Sequence, residues 1–278
     1  MKFKLVVLAS IVLGFLAGTS ASAQQTLHSI MAASTRDLTI GEGTRASRTA
    51  MLSALTQIAN ILGLRFMGEG PNSNVIDENF NCANIRNAIA SLSPGANDIV
   101  VFYYAGHGER SRADVSPLPT LACNIPQAGL PLQQVVHDLA LKRARLTIIV
   151  ADACNFPLEV PQRLSVAALA APNTEAYRRL FLESSGVIVL DSSSPGEFSW
   201  YTTQGGRFTD QFIATLKNPP AGPAGATWDT FISKVTEPMV ITPTGPVIVP
   251  DMPEPVLQAG QTVLESPQAL ARITLVPQ

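Results

Sequence analysis

Three apolar runs constrain the fold more than anything else in this chain. Ile99-Val100-Val101-Phe102-Tyr103-Tyr104, Leu146-Thr147-Ile148-Ile149-Val150 and Gly186-Val187-Ile188-Val189-Leu190 are β-branched, aromatic and aliphatic almost throughout, without the in-out alternation of a half-solvated strand. A strand of that kind is covered on both faces, as in a parallel sheet between two helical layers. The intervening segments supply the layers. Met51, Leu52, Leu55, Ile58, Ile61 and Leu62 recur at helical spacing between a cap at Thr44 or Ser47 and a stop at Gly63. Ile85, Ala88, Ile89 and Leu92 repeat the pattern up to Ser93-Pro94-Gly95, and further helices are expected over 132–141, 175–183, 208–216 and 228–235. With Leu27 to Ala33 and Leu64 to Met67 as additional strands, the expected fold is α/β: a three-layer α/β/α sandwich with a mainly parallel sheet.

The two ends of the chain read differently. Lys2 and Lys4 precede an apolar run from Leu5 to Leu16, and a small-residue stretch closes on Ala21-Ser22-Ala23, the order of a cleavable secretory signal. The run is shorter than the roughly 20 residues that span a bilayer. Residues 1–23 are therefore read as a signal peptide, with export to a periplasm or the exterior and no stable membrane insertion afterwards. Residues 24–237 are read as one domain. From Pro238 proline becomes frequent and helical periodicity stops, so 238–278 is expected to be an extended tail strapped along the domain, with Val247-Ile248-Val249 and Ile273-Thr274-Leu275-Val276 as edge strands. A net charge of −2 with scattered Lys and Arg offers no basic stripe, which argues against nucleic acid or a polybasic membrane contact as partner.

Cysteine usage narrows the chemistry. Cys82, Cys123 and Cys154 are an odd number in a chain that leaves the reducing cytosol, so at least one is unpaired within the chain. Cys82 stands at the start of the helix before the Ile99 run and Cys123 in the loop after it. A parallel α/β layout puts both on one side of the sheet, and a Cys82–Cys123 disulfide is expected. Two separate thiols packed in the core are the alternative.

Cys154 then has a different use. It follows the second buried run in Ala151-Asp152-Ala153-Cys154, just as His107 follows the first in Ala105-Gly106-His107-Gly108. Ligands of open parallel sheets bind beyond the carboxyl ends of the strands. A thiol and an imidazole at two such ends make an activated nucleophile, because the base removes the proton and the imidazolium stabilises the thiolate. Gly106 and Gly108 allow a sharp turn around His107, whose N–H groups are oxyanion donors alongside that of Cys154. A histidine in a turn and a structural cysteine are the plain alternatives for each half taken alone. His28 and His137 read as a residue near the first strand and a helix-surface residue. Gly41-Glu42-Gly43 lacks the Lys-Ser/Thr sequel of a phosphate loop, and the three cysteines with His107 lack the paired spacing of a zinc site.

These residues resemble the caspase and metacaspase clan. The resemblance lies in Val100 to Gly108, in Ile148 to Cys154, and in the 47 positions that separate His107 from Cys154. Leu190-Asp191-Ser192-Ser193-Ser194-Pro195-Gly196-Glu197 with Gly206-Arg207-Phe208-Thr209 is similar to the strand, loop and helix start of bacterial members, and the likeness runs from about Leu27 to Val235. It implies a Cys154–His107 dyad and an oxyanion hole of the Gly108 and Cys154 amides. It also implies a specificity pocket at Asp152, with Asp37 as a second wall. Metacaspases generally cut after Arg or Lys and carry an acid two residues before the nucleophile. Asp152 also invites a physical argument, because a carboxylate beside the thiol raises the thiol pKa and so needs another purpose. Binding a substrate cation is one; pairing with Arg143 or Arg145, or bonding loop amides, is the other.

Asn155-Phe156-Pro157 and Glu109 depart from the residues that often follow the two motifs, and no dense acidic cluster supports a calcium site. The expected activity is that of an exported cysteine endopeptidase acting on polypeptides, with no cofactor and no metal. A caspase-fold binding module without activity and a non-peptidase acyl-transfer enzyme are the competing readings.

Overall fold

The computed structural model describes residues 24–70, 72–111, 114–124, 129–155, 173–223, 225–241 and 263–275. The expected signal peptide at 1–23, Phe156 and Pro157, the Val247-Ile248-Val249 strand and Val276 lie outside the described residues.

In chain order the strands are β1 (Thr26–Ala33), β2 (Arg65–Met67), β3 (Asn74–Val75), β4 (Ile99–Ala105), β5 (Gly108–Glu109), β6 (Thr120–Leu121), β7 (Leu130–Pro131), β8 (Leu146–Asp152) and β9 (Ser184–Asp191). The short β10 (Tyr201–Thr202), β11 (Gly205–Gly206), β12 (Ala221–Gly222) and β13 (Gly225–Ala226) follow, then β14 (Met239–Ile241), β15 (Val263–Glu265) and β16 (Gln268–Leu275). The helices are α1 (Gly41–Leu62), α2 (Cys82–Ser91), α3 (Leu132–Ala140), α4 (Thr174–Tyr177), α5 (Arg207–Lys217) and α6 (Trp228–Val235), with a π-turn over Arg178–Leu182.

The central sheet runs β16-β9-β8-β4-β1-β2, with β3 continuing the β2 edge against β1. Every pairing in it is parallel except β16 on β9. Buried residues alternate between two cores, which explains the unbroken apolar runs. Val101, Tyr103, Ile148 and Val150 face the α1, α5 and α6 side, and Val100, Phe102, Tyr104 and Ile149 face the α2 and α3 side. The result is a three-layer α/β/α sandwich.

Two expectations change. The first helix starts at Gly41, ahead of Thr44 and Ser47. The Asp37 carboxylate accepts from the Thr39 and Ile40 amides and so occupies the free donors of the incoming turn. Thr44 and Ser47 are buried inside α1, where Thr44 donates to the Ser34 carbonyl and Ser47 accepts from the Gly206 amide. The second change concerns the edge strand expected at 273–276, which starts earlier: Gln268 to Leu275 form the outer strand of the central sheet, and Glu265 is fully buried. The 263–275 segment is thus part of the packed domain.

Cys82, the first residue of α2, is bonded to Cys123, with 5.0 Å between their Cα atoms. The bond closes a loop of 41 residues and ties α2 to the segment that follows β6. Chain-entropy reasoning gives such a closure about 4 kcal/mol. Unfolded, unreduced protein is therefore expected to show one titratable thiol, and reduction to lower the stability by about that amount; a count of three thiols would contradict it.

Candidate active site

β4 and β8 are parallel neighbours, and their last residues, Ala105 and Asp152, are register partners. His107 and Cys154 each stand two residues beyond that pair, so both emerge at the same height on the same rim. The two strand ends are knitted together there, because the Gly106 amide donates to the Asp152 carbonyl. A Cβ on Gly108 would lie 2.2 Å from the Cys154 carbonyl oxygen, so the turn after His107 closes on the cysteine backbone only because residue 108 has no side chain.

The histidine is held from two directions. Its carbonyl accepts from the Tyr104 hydroxyl at 2.7 Å and from the Ala122 amide at 2.9 Å. Its Nε2 lies 3.0 Å from Asp37 Oδ2. Burial pushes the Asp37 pKa up, but the hydrogen bonds from His107 and Thr39 outweigh it and hold the carboxyl well below its ordinary range. Asp37 also borders a polar recess of about 380 Å³ lined by Ser34, Asn81, Cys123 and Asn124.

The thiol is covered. Cys154 is 6 % exposed. Ser199 straddles its Sγ, donating its amide to the sulfur at 3.4 Å and taking the thiol hydrogen on its carbonyl at 3.6 Å. Burial raises the Cys154 pKa to about 12, partly offset by the Ser199 amide and reinforced by the carboxyls of Glu265, Asp152 and Asp191. The covered thiol is thus protonated at neutral pH.

Asp152 is fully buried beneath the same segment. Its Oδ1 accepts from the Ser199 hydroxyl at 2.6 Å, and its Oδ2 accepts from the amide and hydroxyl of Thr209. Both oxygens are engaged and neither Arg143 nor Arg145 is among the partners. Arg145 instead donates to the carbonyls of Asn97, Phe181 and Ser184. Asp37, expected as a second wall of the Asp152 pocket, is turned to His107 and to its own loop. Ser199, Thr209 and Glu265 were not singled out from sequence. Thr209 sits in a recognisable helix start, but Glu265, in a proline-rich stretch, carried no local signal.

Three acids around the thiol, Asp152, Asp191 and Glu265, have raised pKa values, in each case chiefly through burial. Asp191 and Glu265 are each pushed further by Asp152. A raised carboxyl means that the folded chain binds more protons than the unfolded one above the ordinary Glu value of 4.5. Stability therefore falls as pH rises through that region toward the raised values. Asp37 acts in the opposite sense, adding stability that is lost as pH falls below its ordinary 3.8. Thermal unfolding followed upward from pH 4.5 is expected to show a declining midpoint, flattened in Glu265→Gln; a flat profile in the unaltered protein would contradict the buried acids.

Among the described residues, no group of three or more His, Cys, Asp or Glu side chains is arranged to hold a metal ion, and no helix is long and apolar enough to cross a membrane.

A family model described as "Caspase domain" matches residues 42–240. Among solved structures, protein GSU0716 from Geobacter sulfurreducens is similar at 14 % identity, over 87 % of this chain and 93 % of that one, with a TM-score of 0.44. Caspase-1 from Spodoptera frugiperda is similar at 15 % identity, over 89 % of this chain and 87 % of that one, with a TM-score of 0.43. No curated protein matches the sequence.

Proposed function

The chain belongs to the caspase domain family, and from that premise we propose that it is an exported cysteine endopeptidase with Cys154 as nucleophile, His107 as base, and a preference for cleavage after Arg or Lys. The observation that carries the dyad is the equal height of the two residues on adjacent parallel strands. In this reading Asp37 accepts the Nε2–H of His107, which leaves the Nδ1 lone pair to take the thiol proton. The thiolate attacks the scissile carbonyl carbon, and the amides of Gly108 and Cys154 are the donors to the oxyanion. The C–N bond breaks as the amine takes the proton from the imidazolium, leaving a thioester. Water, deprotonated by His107, then hydrolyses the thioester to the free acid and restores the thiol.

The basic preference rests on Asp152, supported by Asp191 and Glu265, two buried acids close enough for Asp152 to raise their pKa values. A guanidinium or ammonium there gives the ionised carboxylates a counter-charge. A hydrogen bond to a charged group is worth roughly 1.5–3 kcal/mol, so Arg or Lys substrates are expected to exceed Asp substrates about tenfold to a hundredfold. Asp152→Asn keeps acceptor and donor positions for Thr209 and Ser199, so it is expected to erase the basic preference while the fold and the thiol's alkylation rate persist. Turnover of matched fluorogenic peptides with Arg, Lys, Asp and neutral P1 residues measures this; equal turnover of Arg and neutral peptides by the unaltered protein would exclude the pocket.

One observation favours the second reading, a binding module without activity: Ser199 caps the thiol on both sides. Labelling by an electrophilic, Arg-directed peptide probe, lost in Cys154→Ala, separates the two.

A further inference from the structure

The group that covers the thiol is itself fastened by a distant part of the chain. Ser199 places its backbone on Cys154 Sγ and its hydroxyl on Asp152, so one residue occupies both the nucleophile and the acid beside it. Its neighbour Trp200 donates its amide to Glu265 Oε2 at 3.1 Å. Glu197, two residues earlier, accepts the Ser266 amide at 2.8 Å, and the Ser194 hydroxyl donates to the Ser266 carbonyl at 2.9 Å. Gln268 reaches over the same loop to the carbonyls of Pro117 and Ser193 and to Asp191. Every one of these contacts joins the 193–200 loop, or the rim beside it, to the 265–268 turn between β15 and β16.

We infer that the 265–268 turn is an autoinhibitory latch that holds Ser199 over Cys154, and that its release opens the thiol and Asp152 together. The inference rests on the reading of Cys154 as the nucleophile. An acyl group cannot reach a sulfur whose two approaches are taken by the Ser199 amide and carbonyl, so the latched form is a resting form. The latch is also poised to open. Glu265 is fully buried, and its Oε1 meets no hydrogen-bond partner among the described residues. The groups acting on its charge are Asp152 and Glu197, which oppose ionisation, and Arg207 and the Trp200 amide, which favour it. Beyond the turn, β16 is paired to β9 from Ala269 to Leu275, so the loop can be freed without loss of the sheet.

The test uses the full chain and reads the thiol directly. Cys154 is the one free cysteine among the described residues, so iodoacetamide incorporation into folded protein reports its exposure. The unaltered protein is expected to react at least a hundredfold more slowly than the same protein unfolded in urea. Glu265→Ala with Gln268→Ala cuts the latch from the strap side, and Glu197→Ala cuts it from the loop side. Each is expected to raise the rate at least tenfold while the melting temperature stays above that of the assay. Glu265→Gln, which still accepts from Trp200, is expected to keep the slow rate. Fast reaction of the unaltered protein, or slow reaction of both cut variants, would overturn the latch. Peptide turnover is followed in parallel: cut variants that alkylate fast but turn over no peptide retain the latch and refute the peptidase reading.

Discussion

Alanine at position 154 is expected to leave no measurable peptide turnover, and alanine at position 107 to lower kcat/KM by about 10⁴-fold or more, equivalent to ~5.5 kcal/mol of transition-state stabilisation. The reason lies in the shared rim. In the proposed mechanism the attacking sulfur and the imidazole that takes its proton each stand two residues beyond register partners of adjacent strands, and no second thiol stands by, since Cys82 and Cys123 are bonded to each other. The double variant is expected to be no worse than Cys154→Ala alone, because residues acting as one unit are not additive. Asp37→Asn is expected to give an intermediate loss, because His107 then lacks its carboxylate partner at Nε2. Retention of turnover in Cys154→Ala would remove Cys154 from the mechanism. These measurements are best made on a variant with the latch cut, so that access to the sulfur does not mask its chemistry.

The second large effect is on stability, at Gly186. This residue lies in the partly buried stretch of β9 with φ +123°, a backbone conformation that side-chain-bearing residues rarely adopt. A Cβ there would also lie 1.9 Å from the Arg272 carbonyl oxygen of β16, a backbone atom that cannot turn aside. Gly186→Ala therefore combines backbone strain with a forced separation of the outer strand. A loss of about 3 kcal/mol or more is expected, which for a domain of this size lowers the midpoint of thermal unfolding by roughly 6–12 °C. Differential scanning calorimetry checks it, and an unchanged midpoint would mean that β16 is not part of the cooperative unit.

Much of the central architecture was legible because its cause is local. The unbroken apolar runs at 99, 146 and 186 require cover on both faces, and the helical stripes between them provide it. The rim residues were legible for a related reason, since parallel strands deliver whatever follows them to one edge. The start of α1 was not legible, because the decisive acceptor is the side chain of Asp37, four residues before Gly41 and outside the periodic pattern. The last edge strand was legible from its apolar end at 273–275, but not its start at Gln268 nor its partner, since the pairing of Gln268–Leu275 with Ser184–Asp191 is a contact across about eighty positions. Ser199 and Glu265 were hidden for the same reason: hydroxyl and carboxyl side chains are common at surfaces, and only the tertiary pairing turns these two inward. Asp152 was read as a pocket for a cation or as an acid bonded within the fold; the Ser199 and Thr209 hydroxyls it accepts from were not foreseen.

The covering of Cys154 has a consequence for how the chain matures. In the exported form proposed above, the Cys82–Cys123 bond is made where thiols are oxidised, and a third thiol in such a setting attacks whichever disulfide it can reach. Exchange requires both a thiolate and physical access. Once the sheet closes, Ser199 removes access and burial holds the proton on the sulfur, so a mispaired chain can still be corrected while unfolded but a finished one cannot scramble. Oxidative refolding should therefore funnel into a single pairing, and glutathione should form mixed disulfides with folding intermediates while leaving the completed fold untouched.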